Sequence, residues 1–312
     1  MKILLTGASS FTGCWFAQKL AAAGHEVVAT FTGQTAASYG GLRARRVAAV
    51  LEQCRGAFDC SFGDDAFLNL LEAGAYDVLC HHGADVTNYK SADFNVTAAV
   101  SSNCHRLNEV LAAFKQHGGK ALLLTGSVFE GGEGAGSDGL PHFSPYGLSK
   151  ALTSQVSEYA CRQHGVSFAK FVIPNPFGPL EDERFTAYLM KCWRAGTPAT
   201  VRTPDYVRDN IHVDALATHY ADFAATVFNH SGVRATFHTA PSGYVESQGQ
   251  FAQRFAREME RRLGMRCELE LLKQSEFTEP SVRINTKLIY GRLPEWSESA
   301  AWDELSEYYR SR

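Results

Sequence analysis

The opening segment constrains the fold most. Lys2 to Leu5 is a short apolar strand, Thr6-Gly7-Ala8-Ser9-Ser10-Phe11-Thr12-Gly13 turns the chain, and Phe11 to Ala23 has helical spacing through Phe11, Trp15 and Leu20 before Gly24 stops it. The same order then repeats. Glu26 to Thr30, Asp77 to Cys80, Lys120 to Leu124 and Phe168 to Ile173 read as strands, and Ala98 to His117 and Tyr146 to His164 as helices. The strands are continuous apolar runs, as expected when helices cover both faces of a sheet. Strand-then-helix repetition requires parallel pairing, so the expected fold is α/β with a doubly wound parallel sheet.

The second half is less regular. Pro174, Pro176, Pro179 and the charged run Glu181 to Arg184 interrupt the alternation. Helices are expected near Phe185 to Ala195 and Val213 to Val227, and a last strand at Ala235 to Thr239. Ser247 to Arg312 is richer in charge and mostly helical in pattern, which predicts a smaller, mostly helical C-terminal lobe. The expected division is 1–174 plus about 208–240 for the sheet domain, and about 175–207 plus 241–312 for the lobe.

Composition narrows the partners. Thirty basic against 33 acidic residues give a net charge of −3, which argues against a polybasic nucleic-acid binder. No apolar run approaches the roughly 18 residues of a membrane span. The apolar stretch Ile3 to Leu5 is shorter than the roughly 7–15 residues of a secretory signal, so a cytoplasmic location is expected. None of the 8 cysteines forms a C-x-x-C pair, and they read as reduced, mostly buried side chains. Cys80-His81-His82 is a poor ligand set because strand neighbours point to opposite faces, and no metal is expected.

The Thr6 to Gly13 turn suits a dinucleotide pyrophosphate. Glycine is needed where the chain turns tightly and where backbone approaches phosphate, and the following helix offers free N–H groups and a positive dipole end. Gly7 and Gly13 fit a G-x-x-G-x-x-G variant whose middle position is Ser10, a hydroxyl that either narrows the approach or donates to a phosphate. Gly7, Ser9, Ser10, Phe11, Thr12 and Gly13 are the candidate cofactor contacts. The second strand runs into Thr30-Phe31-Thr32 without the carboxylate that usually holds a ribose 2′-hydroxyl, and Arg43, Arg45 and Arg46 follow. This tilts the expectation from NAD towards NADP, although the arginines could equally form a solvated helix face. Asp59 could meet the adenine amino group or cap a turn.

Tyr146 and Lys150 stand four residues apart where Pro145 lets a helix begin, so both side chains share one face. A lysine ammonium beside a phenol favours phenolate and makes tyrosine a usable acid–base for an alcohol/ketone pair. Thr125 or Ser127, at the end of the preceding strand, can orient the substrate oxygen.

Together these segments resemble the extended short-chain dehydrogenase/reductases of the NAD-dependent epimerase/dehydratase family, which act on nucleotide-linked sugars. The pieces come in family order from Thr6 to about residue 295: the glycine turn, Asp77 to Ala84, Asn103, Thr125 to Phe129, Ser144 to Lys150, Asn175 to Pro179 and Arg208 to Asp214. The resemblance implies a Rossmann domain with a substrate lobe. It implies Thr125 on the reacting sugar oxygen, Tyr146 as acid–base, Lys150 on the nicotinamide ribose and tuning Tyr146, and Asn175 and Arg208 on the substrate diphosphate. It also implies a homodimer through the helices at 98–117 and 146–164. The family's sugar dehydratases carry an Asp-Glu pair where this chain has Gly126 and Ser127, so loss of water is not expected. Glu130 and His142 are the remaining acid–base candidates nearby, each more naturally a loop side chain.

The expected activity is a nucleotide-sugar epimerase or 4-keto reductase. A reductase of small non-nucleotide carbonyl compounds is the alternative that Asn175 and Arg208 oppose. A non-catalytic dinucleotide-sensing regulator is the one that an intact Thr125–Tyr146–Lys150 set opposes.

Overall fold

The computed structural model describes residues 1–137, 139–232, 235–293 and 296–312. The chain forms two compact units: 1–133, 141–173 and 217–240 make the first, and 134–140, 174–216 and 241–312 the second.

The first unit is built on β1 (Lys2–Leu5), β2 (Glu26–Thr30), β3 (Arg55–Ala57), β4 (Val78–His81), β5 (Ala121–Ser127), β6 (Ser167–Ile173) and β7 (Thr236–Thr239). They pair in parallel in the order β7-β6-β5-β4-β1-β2-β3. The order reverses between β1 and β4, the topological switch point where doubly wound sheets bind ligands beyond their carboxyl ends. Its helices are α1 (Phe11–Ala22), α2 (Gly41–Leu51), α3 (Asp65–Ala73), α4 (Val96–Asn103), α5 (Leu107–Gln116) and α6 (Pro145–His164). Leu4, Leu79, Leu122 and Leu124 from the strands pack with Phe67, Leu71, Val110, Leu111 and Phe114 in one buried cluster. Each such side chain contributes about 1.5–3 kcal/mol by leaving water.

The single helix expected over Ala98 to His117 is two. Asn103 directs its carbonyl to His81 Nε2 at 2.9 Å, so Leu107 N–H turns to Cys104 O instead, at 3.1 Å. Arg106 takes a left-handed φ of 47° at the break and is held by Asp65 and Glu109.

In the second unit, Val207–His212 pairs with Tyr244–Ser247, Val282–Ile284 and Asn175–Phe177, and Ala135–Gly136 pairs with Val282–Ile284. These pairings correct the expected boundaries: 208–216 and 134–140 belong with the second unit. Helices Phe185–Arg194, Gln248–Leu263 and Glu298–Arg310 close its core around Phe177, Trp193, Phe251, Phe255, Met259 and Trp302. Between the last two helices the chain is not helical as its pattern suggested but forms the short strands Leu269–Leu271, Val282–Ile284 and Lys287–Leu288. Among the described residues no helix is long and apolar enough to cross a membrane.

Candidate active site

Two strand ends meet at the switch point. Gly7 has φ +76°, and a Cβ there would lie 2.7 Å from Gly83 N, so only glycine lets the β1 and β4 turns touch backbone to backbone. Gly13 sits equally tightly, 2.2 Å from Gly7 O at a would-be Cβ. Ser10 is the N-cap of α1: its Oγ accepts from Gly13 N–H at 3.1 Å and donates to Gly7 O at 2.8 Å. The hydroxyl is thus used inside the turn, which goes against the second of the two alternatives for Ser10, donation to a phosphate. With Gly13 N–H capped, the Phe11 and Thr12 N–H groups are the first-turn donors left for an anion. The turn therefore fits a dinucleotide pyrophosphate.

Around this turn, Ser9 is buried and accepts from Arg43 Nη2 at 2.9 Å, while Arg43 lies over the Tyr39 ring at 5.4 Å. Of the three arginines, Arg46 is buried over Phe11 and does not form a solvated face. Phe31 is buried against Phe58 at 4.9 Å. Asp59 is exposed at a positive φ of 50°, its N–H on Gly33 O.

Thr125 lies buried in the last part of β5. Ser144 caps α6 by accepting from Gly147 N–H at 3.2 Å, and Gly147 abuts Phe129 O, which sets the helix start against the β5 turn. Tyr146 and Lys150 follow one turn apart, as the spacing requires. The Tyr146 ring is flanked edge-on by Tyr89 at 5.5 Å and Phe94 at 6.1 Å. Lys150 is buried, and burial pushes its ammonium below the ordinary value, with Glu130 opposing and Lys170 adding to the shift.

Ser127 Oγ accepts from Phe129 N–H at 3.2 Å, a local turn contact. Glu130 is fully buried, accepts from Ser127 N–H at 2.7 Å and pairs with Lys170 at 2.5 Å. His142 Nδ1 accepts from Gly131 N–H at 2.9 Å. Both are loop side chains, as expected.

Sequence reasoning missed the histidines. His81 Nε2 meets Asn103 O at 2.9 Å and Nδ1 meets Thr6 Oγ1 at 3.0 Å. His82, half-buried, has Nε2 at 3.0 Å from Ser10 Oγ and 3.1 Å from Thr12 Oγ1, and Nδ1 at 3.1 Å from Thr125 Oγ1. The signal was present as two imidazoles at the end of a strand beside a turn rich in Ser and Thr. Burial lowers His81 to about 4, with the Asn103 contact opposing, and lowers His82 to about 3, with Lys150 and His81 adding.

In the second unit, Asn175 Nδ2 donates to Asn210 Oδ1 at 2.6 Å. Arg208 Nη1 donates to Val207 O at 2.9 Å and Pro280 O at 3.0 Å, and its Nη2 pairs with Glu279 at 2.9 Å.

The family model described as "NAD dependent epimerase/dehydratase family" matches residues 3–232. The chain belongs to this family. Among solved structures, it is similar to UDP-glucuronic acid 4-epimerase from Bacillus cereus with UDP-glucuronic acid and NAD, at 19% identity and a TM-score of 0.73, covering 100% of this chain and 99% of that one. UDP-glucose 4-epimerase from Thermotoga maritima with UDP-glucose follows at 18% and 0.73, covering 100% and 99%. UDP-glucose 4-epimerase from Bifidobacterium longum with NAD+ and UDP follows at 16% and 0.72, again covering 100% and 99%. No curated protein matches the sequence.

The histidine values carry a sign. Between the unfolded value of 6.5 and the folded value of about 4, the unfolded chain holds the His81 proton and the folded one does not, so stability falls as pH drops through that window. Glu181 and Asp209, raised by burial to about 7 and about 6, act in the opposite direction. The wild-type slope is therefore compensated, and the His81→Gln variant isolates one contribution. Urea unfolding at about pH 7 and about pH 5 should give the variant a smaller acid loss than wild type, by up to about 1.4 kcal/mol per pH unit. Equal slopes would contradict a neutral buried His81.

Proposed function

We propose that this chain is a nucleotide-sugar 4-epimerase that uses a bound nicotinamide dinucleotide. The observation that carries this reading is the buried Thr125 hydroxyl at the end of β5, set on the switch-point turn, together with Tyr146 and buried Lys150 on α6. The three are the residues that the family resemblance names for a sugar alcohol/ketone pair. The dinucleotide supplies the hydride acceptor and donor; Phe11 and Thr12 N–H with Gly7 and Gly13 would hold its pyrophosphate. Thr125 orients the sugar oxygen. Tyr146 takes its proton and returns it, and Lys150 places a cation on the same helical face to favour phenolate. The UDP-sugars named with the similar structures make UDP-glucose and UDP-glucuronic acid the first substrates to try. Asn175 and Arg208 serve the diphosphate in this reading, and Arg208 then exchanges the Glu279 carboxylate for phosphate. Exposed Val156 and Tyr159 on α6 support the homodimer.

One observation favours a second reading, an NADPH-dependent 4-keto reductase. Arg43 stands on Ser9 of the cofactor turn, while β2 is followed by Phe31, with no carboxylate to repel a 2′-phosphate.

Three measurements follow. With a UDP-sugar that turns over, Tyr146→Phe should lower kcat about 10²–10⁴-fold while the fold survives, and Thr125→Val should cost less; wild-type turnover by Tyr146→Phe would remove the assignment. Calorimetric titration should show Arg43→Ala losing NADPH affinity about tenfold, about 1.4 kcal/mol, with NADH little changed; an equal loss of both would end the 2′-phosphate reading. Arg208→Ala should raise KM for the nucleotide sugar and Glu279→Gln should lower it, since the guanidinium is then released to the diphosphate. A loss of dinucleotide affinity with Arg208→Ala would contradict that role.

A further inference from the structure

The histidine after β4 joins two parts of the site that the proposed chemistry treats separately. His82 places one ring nitrogen on the hydroxyls of the glycine turn and the other on Thr125, with its ring edge-on to Phe16 at 5.1 Å. The hydrogen positions follow from counting donors. Ser10 has one hydroxyl hydrogen, and it goes to Gly7 O, because a carbonyl can only accept. Ser10 Oγ already accepts from Gly13 N–H, and its remaining capacity faces His82 as a second acceptor. A hydrogen on His82 Nε2 meets both Ser10 Oγ and Thr12 Oγ1 as acceptors, and this is the tautomer that the contacts favour. Nδ1 is then a bare lone pair, and the Thr125 hydroxyl must donate to it. His81 repeats the pattern one residue earlier: Asn103 O requires Nε2–H, so Thr6 donates to Nδ1.

The structure assigns His82 as a positioning residue: a neutral imidazole in the Nε2–H form that ties the cofactor turn at Ser10 to the hydroxyl of Thr125 and turns that hydroxyl's hydrogen inward. Ser10 and His82 are thus one device. Ser10 replaces the loop's middle glycine, and the imidazole uses the hydroxyl that this replacement brings. Thr125 then meets an incoming sugar already oriented and aligned with the turn that holds the dinucleotide. The charged neighbour facing the ring is Lys150, which together with burial keeps the imidazole unprotonated. The assignment rests on the reading of Thr125 and the glycine turn as substrate and dinucleotide sites.

The test needs no turnover, so its failure is distinct from failure of the epimerase reading. Long-range proton–nitrogen correlation spectra of the wild-type protein with labelled histidine report the tautomer directly. His82, identified by its absence in His82→Gln, should stay in the Nε2–H form from about pH 8 to about pH 5, and Thr125→Val should shift its Nδ1 resonance. An Nδ1–H tautomer, protonation within that range, or no response to Thr125→Val would overturn the assignment. Titration with NAD+ adds a second reading. The glutamine amide of His82→Gln can still donate to Ser10, whereas His82→Asn keeps only an acceptor for Thr125. His82→Asn should therefore weaken NAD+ about 2–10-fold more than His82→Gln. Where a UDP-sugar turns over, the order should reverse for kcat. Equal losses in both variants would mean that the ring only fills space, and would overturn the proposal.

Discussion

At the heart of the first unit, two turns touch backbone to backbone. A Cβ on Gly7 would collide with Gly83, so the ends of β1 and β4 approach as closely as chains can without side chains between them. Everything chemical in that unit is referred to this contact. It brings the first turn of α1 to the strand that carries His81 and His82, and through His82 to Thr125 on the next strand. Thr6 contributes by accepting from Gly83 N–H at 2.8 Å while its hydroxyl hydrogen holds His81. A small hydrogen-bonded lattice of serine, threonine and histidine thus replaces the apolar packing found elsewhere along these strands. Polar groups placed this deep stabilise when their donors meet acceptors, as the Gly83 N–H, Gly13 N–H and Ser10 O–H do here.

Much of the sheet was legible in the sequence because its strands are continuous apolar runs. Lys2–Leu5 and Glu26–Thr30 stand where the pattern puts them. The features that escaped are set by partners distant in the chain. The break between α4 and α5 comes from His81 drawing away the Asn103 carbonyl, an event that helical periodicity in Ala98 to His117 cannot register. The short strands at 269–271, 282–284 and 287–288 carry too few residues for an alternation, and their pairing with 199–201, 207–208 and 241–242 exists only in three dimensions. The misplaced unit boundary has the same origin, since the strands that pair with Val207–His212 lie far from it in the chain.

The candidate site divides along similar lines. The helix start that carries Tyr146 and Lys150 and the strand end that carries Thr125 are readable from spacing and order, because both are local events. For Ser10 the sequence leaves two roles open, since nothing local reveals that its hydrogen goes to Gly7 O. His82 was weighed only as a metal ligand and set aside on strand geometry. Strand geometry rules out a chelating pair but not a hydrogen-bonding role for an imidazole at a strand end. Arg208 does form a salt bridge, the alternative to a diphosphate contact, but its Glu279 partner lies 71 positions away and is not legible in the local sequence.

The account turns on hydride movement at one sugar carbon, and isotope tracing addresses that movement directly. The protein, loaded with NAD+, would be given UDP-glucose or UDP-glucuronic acid deuterated at C4, and the C4 epimer isolated. The account predicts that the epimer forms with deuterium retained at that carbon, because the same hydride leaves and returns while only the hydroxyl proton passes through Tyr146. An epimer that has lost its deuterium to solvent would contradict it, since the carbon–hydrogen bond would then have broken by proton loss.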